Sequence, residues 1–234
     1  MNTMNEGCFT YKLEIDRKHG ILVDEEGRRY LIDTGSPISY SDGPLTLCGK
    51  IQESNTGAML NHIRKISHLD INGLIGMSTL RQYHVLFDYP HGQIKLSTKT
   101  FDIPGCKMKI QTVLGMAIFF EANLDGIDKP RRIILDSGAP ISYVNPELVK
   151  FYAPVDSIKD FHPEIWEFTV PLYPEIQISL GDGYNLPVSF GVLPSTLLVS
   201  LSTTMLADAI VGYDLLSKGM VELSFTDHTM TLNI

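Results

Sequence analysis

Two aspartates at the ends of apolar runs are the residues of this sequence best suited to chemistry. Asp33 follows Tyr30-Leu31-Ile32, and Asp136 follows Ile133-Ile134-Leu135. Ionised aspartate is almost never fully buried without a partner, so its position after a core strand indicates a site. If the two carboxyl groups meet, they cannot both ionise cheaply and must share a proton. Such a pair supplies a general base for a water molecule and a general acid for a carbonyl oxygen.

Both aspartates lie in an internal repeat. Residues 33–40 (Asp-Thr-Gly-Ser-Pro-Ile-Ser-Tyr) and 136–143 (Asp-Ser-Gly-Ala-Pro-Ile-Ser-Tyr) agree at six of eight positions, at an offset of 103. A second pair, Gly-Leu-Ile-Gly at 73–76 and Ala-Ile-Val-Gly at 209–212, has an offset of 136. The second half has therefore gained 33 residues between its blocks, because 136 − 103 = 33. Two ordered matches predict two structurally related halves.

The elements around the repeat are predicted to be mainly strands. Alternating or continuous apolar runs that end in turn residues are typical of half-buried and buried strands. The predicted strands are Tyr11–Ile15, Tyr30–Ile32, Val85–Asp88, Gln93–Leu96, Met116–Phe120, Ile133–Leu135, Pro174–Leu180, Leu186–Val192, Val221–Phe225 and Met230–Leu232. The predicted helices are short, over Met77–Gln82, Asn145–Phe151 and Tyr213–Lys218. We therefore expect an all-β fold.

The duplication predicts two lobes in one chain. The N-terminal lobe is expected over residues 1–100 and carries Asp33, and the C-terminal lobe over 113–234 carries Asp136. Residues 101–112 contain Pro104 and Gly105 and lack long periodicity, which is typical of a connector between lobes.

Composition and charge argue against several classes of function. The 234 residues carry 19 Lys and Arg against 27 Asp and Glu, a formal net charge of −8, which disfavours a nucleic-acid-binding protein. No run approaches the roughly 18 apolar residues of a membrane span, so we expect no membrane partner. Met1 to Tyr11 show no secretory leader, so we expect a cytoplasmic protein. Cys8, Cys48 and Cys106 have neither disulfide nor zinc spacing. We expect no metal and no cofactor.

The two Asp blocks resemble those of the pepsin-like and retropepsin-like aspartic peptidases. The resembling motifs are Asp33-Thr34-Gly35 with the later Leu74-Ile75-Gly76, and Asp136-Ser137-Gly138 with Ile210-Val211-Gly212. Both copies occur in the same order, and the likeness covers nearly the whole chain. The resemblance implies a minimal, single-chain peptidase of the bacterial type, with two β-barrel-like lobes related by a pseudo-twofold axis. It implies an aspartic endopeptidase that acts on a peptide or protein substrate.

The resemblance also implies a role for each residue of the motifs. Asp33 and Asp136 would hold the attacking water, while Thr34 and Ser137 would each reach across to the opposite lobe. The two later motifs would support the active turn of their own lobe. The hydroxyl of Ser36 would bond to Asp33, and the second lobe has no equivalent hydroxyl. Because a hydroxyl donor stabilises the ionised carboxyl group, we expect Asp33 to ionise more readily.

The extra residues of the second half predict a flap there. The first half has only 31 residues between Tyr40 and Asn72, too few for a flap hairpin and the hairpin that follows it. Pro174 to Val192 resembles the family's post-flap hairpin, which leaves Asp156 to Pro171 as the flap. Pepsins carry their flap on the first lobe, so this arrangement would be inverted. The side chains expected to cover the cleft are Phe161, His162 and Trp166.

Several alternatives stay open on the sequence alone. The chain would fold in the same way as a catalytically weak or inactive module that binds or scaffolds an extended peptide. As a separate alternative, the two aspartates could be turn residues at the ends of strands, with no chemistry. Trp166 equally fits an anchor in the core or between lobes, and His162 fits a surface loop. A monomer is expected, because one chain already contains both aspartates.

Overall fold

A computed structural model describes residues 7–113, 115, 117–181 and 183–234. Residues 1–6, most of the segment searched for a leader, lie outside these ranges. So do Met116, the first residue of a predicted strand, and Asp182, in the turn predicted between two strands.

Strands are the main regular structure of the described chain. The strands of the first half are β1 (Cys8–Asp16), β2 (His19–Val23), β3 (Arg29–Ile32), β4 (Tyr40–Ser41), β5 (Leu45–Leu47), β6 (Lys50–Gln52), β7 (Gly73–Ile75), β8 (His84–Asp88) and β9 (Gln93–Ser97). Those that follow are β10 (Cys106–Lys109), β11 (Gln111–Val113), β12 (Ala117–Leu124), β13 (Arg131–Leu135), β14 (Ser142–Val144), β15 (Asp156–His162), β16 (Trp166–Gly181), β17 (Tyr184–Gly191), β18 (Ala209–Val211), β19 (Met220–Ser224) and β20 (Thr229–Asn233).

The helices are short. The α-helices are α1 (Ala58–Ser67), α2 (Met77–Leu80), α3 (Ser195–Val199) and α4 (Tyr213–Leu216). Single turns of 3₁₀-helix cover Tyr89–His91 and Pro146–Leu148, and a π-helical turn covers Ser200–Thr204. Within the described ranges, no helix is long and apolar enough to cross a membrane.

The strands form two large sheets, one for each half of the chain. Across the described residues, one sheet has the order β10-β20-β19-β8-β9-β1-β2-β3-β7-β4, and the other has the order β11-β12-β13-β18-β14-β17-β16-β15. β12 also pairs with β16, which curls the second sheet towards a barrel. β5 and β6 form a separate hairpin. The expectation of an all-β, two-lobed fold is confirmed.

Two strands related by the repeat join the halves. β8 and β19 pair in antiparallel orientation, with Val85 opposite Leu223. Leu86 lies opposite Glu222, its own counterpart at the repeat offset of 136. The pseudo-twofold axis therefore passes between Leu86 and Glu222. Because β19 and β20 complete the sheet of the first half, the end of the chain holds the two lobes together.

The main hydrophobic core is continuous across the two halves. One cluster of buried side chains includes Tyr30 and Phe87 from the first half and Phe120 and Phe190 from the second. Burying a side chain of this size contributes roughly 1.5–3 kcal/mol. A core shared in this way limits movement of one lobe against the other.

The structure differs from the predicted elements in several places, and strands β2, β5 and β6, for example, were not predicted. Helix α1 was not predicted, although its buried Leu60, Ile63 and Ser67 have helical spacing. The helix predicted over Asn145–Phe151 is a single 3₁₀ turn, Pro146–Leu148. Residues 101–112 contain β10 and the start of β11. The division of the chain at 101–112 stays a prediction.

Candidate active site

The two aspartates occupy equivalent positions after paired parallel strands. β3 runs parallel to β7, and the N–H of Asp33 donates to the carbonyl of Ile75 at 3.0 Å. β13 runs parallel to β18, and the N–H of Asp136 donates to the carbonyl of Val211 at 2.9 Å. Each aspartate is thereby fixed one residue beyond a buried strand, by the later motif of its own half.

Glycine is required where the later motifs approach the active turns. A Cβ atom on Gly76 would lie 2.4 Å from the carbonyl oxygen of Ile38. A Cβ atom on Gly212 would lie 2.2 Å from the carbonyl oxygen of Asp136. The adjoining residues of both motifs are strand residues packed beside the turns: Leu74, Ile75, Ile210 and Val211.

Each carboxyl group accepts hydrogen bonds from its own turn. The N–H groups of Gly35 and Ser36 donate to Oδ1 of Asp33 at 2.9 and 3.0 Å. The N–H of Gly138 donates to Oδ1 of Asp136 at 2.9 Å. A Cβ atom on Gly35 would lie 2.6 Å from Cγ of Asp136. A Cβ atom on Gly138 would lie 2.7 Å from Cγ of Asp33. Each glycine thus lets its turn contact the opposite carboxyl group.

Thr34 and Ser137 lock the two turns together. The N–H of Thr34 donates to Oγ of Ser137 at 3.0 Å, and the N–H of Ser137 donates to Oγ1 of Thr34 at 2.8 Å. The Thr34 hydroxyl donates to the carbonyl of Leu135 at 2.9 Å, and the Ser137 hydroxyl donates to that of Ile32 at 2.8 Å. Both side chains are buried, at 0% and 2% exposure. Four hydrogen bonds therefore tie the halves together directly beneath the two aspartates.

The two carboxyl groups are hydrogen-bonded to each other. Protein atoms surround both carboxyl groups. The two aspartate residues nevertheless have intermediate exposure, which fits the floor of an open cleft. Burial raises the pKa of Asp33 above its ordinary value of 3.8, and the charge of Asp136 raises it further. Burial also raises the pKa of Asp136, but the N–H of Gly138 and the bond from Asp33 oppose this rise. Two adjacent carboxyl groups whose pKa values are both raised share one proton between them.

One expectation about this pair is wrong. The hydroxyl of Ser36 donates to the carbonyl of Ile38 at 2.9 Å and not to Asp33. Ser36 reaches Asp33 only through its backbone N–H. Since the hydroxyl does not stabilise the ionised carboxyl group, the reason for expecting Asp33 to ionise first disappears. The charge of Asp136 raises the pKa of Asp33, and the order in which the two groups ionise stays a prediction.

The residues predicted to form a flap lie on the hairpin β15–β16, which extends from the second half to the first. The ring of Phe161 stacks on that of His19, with centroids 5.7 Å apart. Trp166 meets the ring of His62 in α1 edge-on, at 4.8 Å between centroids. Nζ of Lys65, also in α1, lies 5.2 Å from the Trp166 centroid. Trp166 thus contacts the other lobe, and cover of the cleft by this hairpin stays a prediction.

The third predicted flap residue lies at the tip of the hairpin. Nδ1 of His162 accepts the N–H of Glu164 at 3.2 Å, within the turn itself. Burial lowers the pKa of His162. A role for His162 in covering the cleft therefore stays a prediction.

Sequence reasoning missed a second pair of polar groups beside the aspartates. The hydroxyl of Tyr143 donates to Oδ2 of Asp160 on β15. The charge of Asp136 raises the pKa of both groups, so both lie within its electrostatic reach. Tyr143 ends the second repeat block, as Tyr40 ends the first. This repeated position could have marked Tyr143 as a candidate site residue. Nothing in the sequence singles out Asp160.

The described part of the chain contains no cluster of three or more His, Cys, Asp or Glu side chains that could bind a metal ion. Nor does a disulfide join the cysteines of that part.

Comparison with known proteins supports the fold and little more. No family model matches the sequence. No curated protein matches it either. Among solved structures, that of basic 7S globulin from soybean is similar with a TM-score of 0.55 at 8% identity, over 96% of this chain and 94% of that chain. The chain has the pepsin-like, two-lobed all-β fold.

These comparisons overturn one expectation. The sequence motifs predicted a member of the pepsin-like or retropepsin-like peptidases. No family model supports that membership, and the similar structure is named as a globulin and not as a peptidase. Assignment of the chain to that peptidase family is therefore wrong, and at 8% identity the likeness establishes the fold alone.

We predict that Ser137→Ala destabilises the protein by about 2–4 kcal/mol. The substitution removes two buried hydrogen bonds, so the N–H of Thr34 and the carbonyl of Ile32 are left unsatisfied. Ser36→Ala is the matched control, since that half-buried hydroxyl makes one bond, and its expected cost is about 1 kcal/mol or less. Urea unfolding followed by circular dichroism measures both. Equal losses in the two variants would contradict the role of the interlock.

We predict that Asp33→Asn weakens the pH dependence of stability. The raised pKa of Asp33 means that the folded protein binds more protons than the unfolded chain above about pH 4, so wild-type stability falls as the pH rises from there. The variant loses this penalty and gains stability relative to wild type at pH 7 but not at pH 4. Thermal unfolding at both pH values measures this, with the exposed Asp156→Asn as the control for charge. A variant equally destabilised at both pH values would refute the shared proton.

Proposed function

We propose that the chain binds an extended peptide in the cleft between its lobes and hydrolyses it with the Asp33–Asp136 pair. The observation that carries this proposal is the interlocked pair itself, in which two buried carboxyl groups meet and both have raised pKa values. Such a pair has no evident structural purpose, because burying carboxyl groups costs stability that apolar residues would not cost.

In the proposed reaction the two carboxyl groups have different roles. The ionised Asp136 takes a proton from a water molecule held between the groups, and that water attacks the peptide carbonyl carbon. The protonated Asp33 donates its proton to the carbonyl oxygen. The resulting tetrahedral intermediate collapses when the leaving nitrogen takes up the proton that Asp136 received, the C–N bond breaks, and one of its two hydroxyl groups returns a proton to Asp33. The pair then returns to its one-proton state without a covalent intermediate.

The rigidity of the site supports this proposal. The Thr34–Ser137 hydrogen bonds fix both turns, so the carboxyl groups do not have to reorganise as charge develops. A peptide in extended form would bind through main-chain hydrogen bonds and side-chain pockets. We propose a monomer, because the same chain supplies both aspartates, and we propose the cytoplasm as its location. Neither nucleic acid nor membrane is part of the proposed activity.

A second candidate function is binding of the same peptide without cleavage. The comparisons favour it, since the similar solved structure carries the name of a globulin. A scaffolding or peptide-binding module would use the same cleft and would keep its affinity when the aspartates are neutralised.

We predict that the wild type cleaves an unstructured protein such as denatured casein at some pH between 3 and 8. Asp33→Asn and Asp136→Asn each reduce that cleavage at least about 100-fold, the scale of general acid–base catalysis. Release of acid-soluble peptides measures the rate, and circular dichroism confirms that each variant is folded.

Two outcomes decide between the candidates. Cleavage that survives in either Asn variant comes from a contaminant and contradicts the proposed function. A folded wild type that cleaves nothing, but retains peptides from a random library equally well with or without Asp33→Asn, establishes the binding module.

We predict that Ser36→Ala leaves the acidic limb of the pH–rate profile in place. Its hydroxyl donates to Ile38, while the backbone N–H that reaches Asp33 survives the substitution. Cleavage rates between pH 3 and 6 measure the limb. A clear upward shift of the limb would show that the hydroxyl turns to Asp33 during the reaction.

A further inference from the structure

The turn between β1 and β2 carries two cations in an unfavourable backbone conformation. The strands pair as far as Asp16 and His19, which leaves Arg17 and Lys18 as a two-residue hairpin turn. Their φ angles are 50° and 65°, as in a type I′ turn, for which Asn and Gly are the favoured residues. Other side chains are uncommon in this left-handed region, because their Cβ atom crowds the backbone. Two cations in place of the favoured residues indicate that their charge has a function.

Both cations line a cavity of about 340 Å³ that adjoins the aspartates. Pro140 and Ile141, four and five residues after Asp136, form part of its wall. Nζ of Lys18 also lies 5.9 Å from the ring centroid of Tyr213, the residue that follows the later motif of the second half. A side chain of a peptide that lies over the aspartates can therefore enter this cavity.

The walls of the cavity carry more positive than negative charge. The charged and titratable residues that line it are Arg17, Lys18, Lys159, His19, His68, Asp160 and Glu167. Three of these side chains are basic and two are acidic, in a chain whose formal net charge is −8. Burial lowers the pKa of His19, so its ring adds no charge at neutral pH. The cavity thus differs in sign from the protein as a whole.

The acidic side chains of the cavity already have partners within the protein. Both carboxyl oxygens of Asp160 accept hydrogen bonds, one from the Tyr143 hydroxyl and one from the N–H of Phe161 at 2.8 Å. A carboxylate oxygen of Glu167 lies 3.5 Å from Nε2 of His68. Neither acidic group therefore neutralises the basic side chains of the cavity by direct contact.

The basic side chains, by contrast, keep donors free for a ligand. Across the part of the chain that the structure describes, Arg17, Lys18 and Lys159 form no ion pair. Arg17 donates one hydrogen bond, from Nη1 to the carbonyl oxygen of Ser67 at 3.3 Å. The other N–H groups of this guanidinium and both ammonium groups are available to an acceptor.

A buried imidazole in the cavity wall also lacks a partner. His19 is 2% exposed, and neither of its ring nitrogens has a hydrogen-bond partner among the described residues. The carbonyl groups of Asp16 and Arg17 lie near enough to raise its pKa, but they do not have hydrogen-bond geometry with the ring. An unsatisfied buried polar group favours a polar occupant of the cavity over an apolar one.

We propose that this cavity binds the carboxylate of a glutamate in the peptide, so that the protein selects acidic substrates for the Asp33–Asp136 pair. The inference rests on the proposed function and names the class of substrate for the same site. Ile66, Ile141 and Ile158 supply apolar walls for the methylene groups of the glutamate side chain. Because the net charge of the chain repels acidic peptides, such a preference has to come from this cavity.

Retention of two peptide pools on the immobilised full-length protein at pH 7 tests this specificity. Both pools are capped octapeptides with random flanking positions free of acidic residues, and the fourth residue is Glu in one pool and Gln in the other. Every protein tested carries Asp33→Asn, so that retained peptides stay intact. We predict that the Glu pool is retained at least about fivefold better at low ionic strength, and that this ratio falls as salt is added.

Arg17→Asn/Lys18→Gly removes both turn cations and introduces the residues that a type I′ turn favours. Its melting temperature is therefore expected to equal or exceed that of the parent protein, while the ratio of Glu to Gln retention falls to near one. Lys129→Gln/Lys150→Gln is the matched control, because it removes two exposed lysines outside the cavity and keeps the ratio. Should the turn variant fail to fold, Lys159→Gln decides, and an unchanged ratio in that variant overturns the proposal.

Two further results would overturn the proposal. One is equal retention of the two pools by the parent protein, which includes retention of neither pool. The other is a Glu preference that the folded turn variant shares with the parent. Casein cleavage by the wild type separates these results from the proposed function. Cleavage without a Glu preference removes this inference alone, whereas a Glu preference in a protein that cleaves nothing removes the hydrolysis alone.

Discussion

Two carboxyl groups that meet at a pseudo-twofold axis cannot both carry a charge, and the structure is arranged around this constraint. Parallel strands bring Asp33 and Asp136 to the axis, and the Thr34–Ser137 hydrogen bonds hold their turns together. A glycine lies two residues after each aspartate, because no larger residue fits beside the opposite carboxyl group. The pairing of β8 with β19 repeats the same symmetry at the level of the sheet.

The two halves depart from symmetry in complementary ways. The first half places helix α1 between its repeat blocks, and the second half places the hairpin β15–β16 in its longer insertion. The tip of that hairpin then rests on α1. Each lobe therefore supplies one side of this contact. The asymmetry extends to the carboxyl pair, because the charge of Asp136 raises the pKa of Asp33, while the bond from Asp33 opposes the rise in the pKa of Asp136.

The duplicated motifs made the all-β, two-lobed fold predictable, because they depend on local spacing and on residues that suit one backbone geometry. The hydroxyl of Ser36 was assigned wrongly, since a sequence does not reveal which of two nearby acceptors a rotatable hydroxyl selects. Asp160 was invisible for a related reason: its partner is 17 residues away, and no pattern marks the pairing. Membership of a peptidase family was inferred from motifs that accompany the fold, and the fold does not determine activity.

The shared proton is tested most directly by a titration of the aspartate side chains with ¹³C-labelled carboxyl carbons, observed by NMR. The experiment is done in an Asp160→Asn background, because burial raises the pKa of Asp160 to about 6 and its signal would overlap with that of the pair. The account predicts one carboxyl group that stays protonated well above pH 4, coupled to a second that is ionised. Asp33→Asn or Asp136→Asn alone abolishes this coupled titration. Two carboxyl groups that both ionise independently near pH 4 would contradict the account.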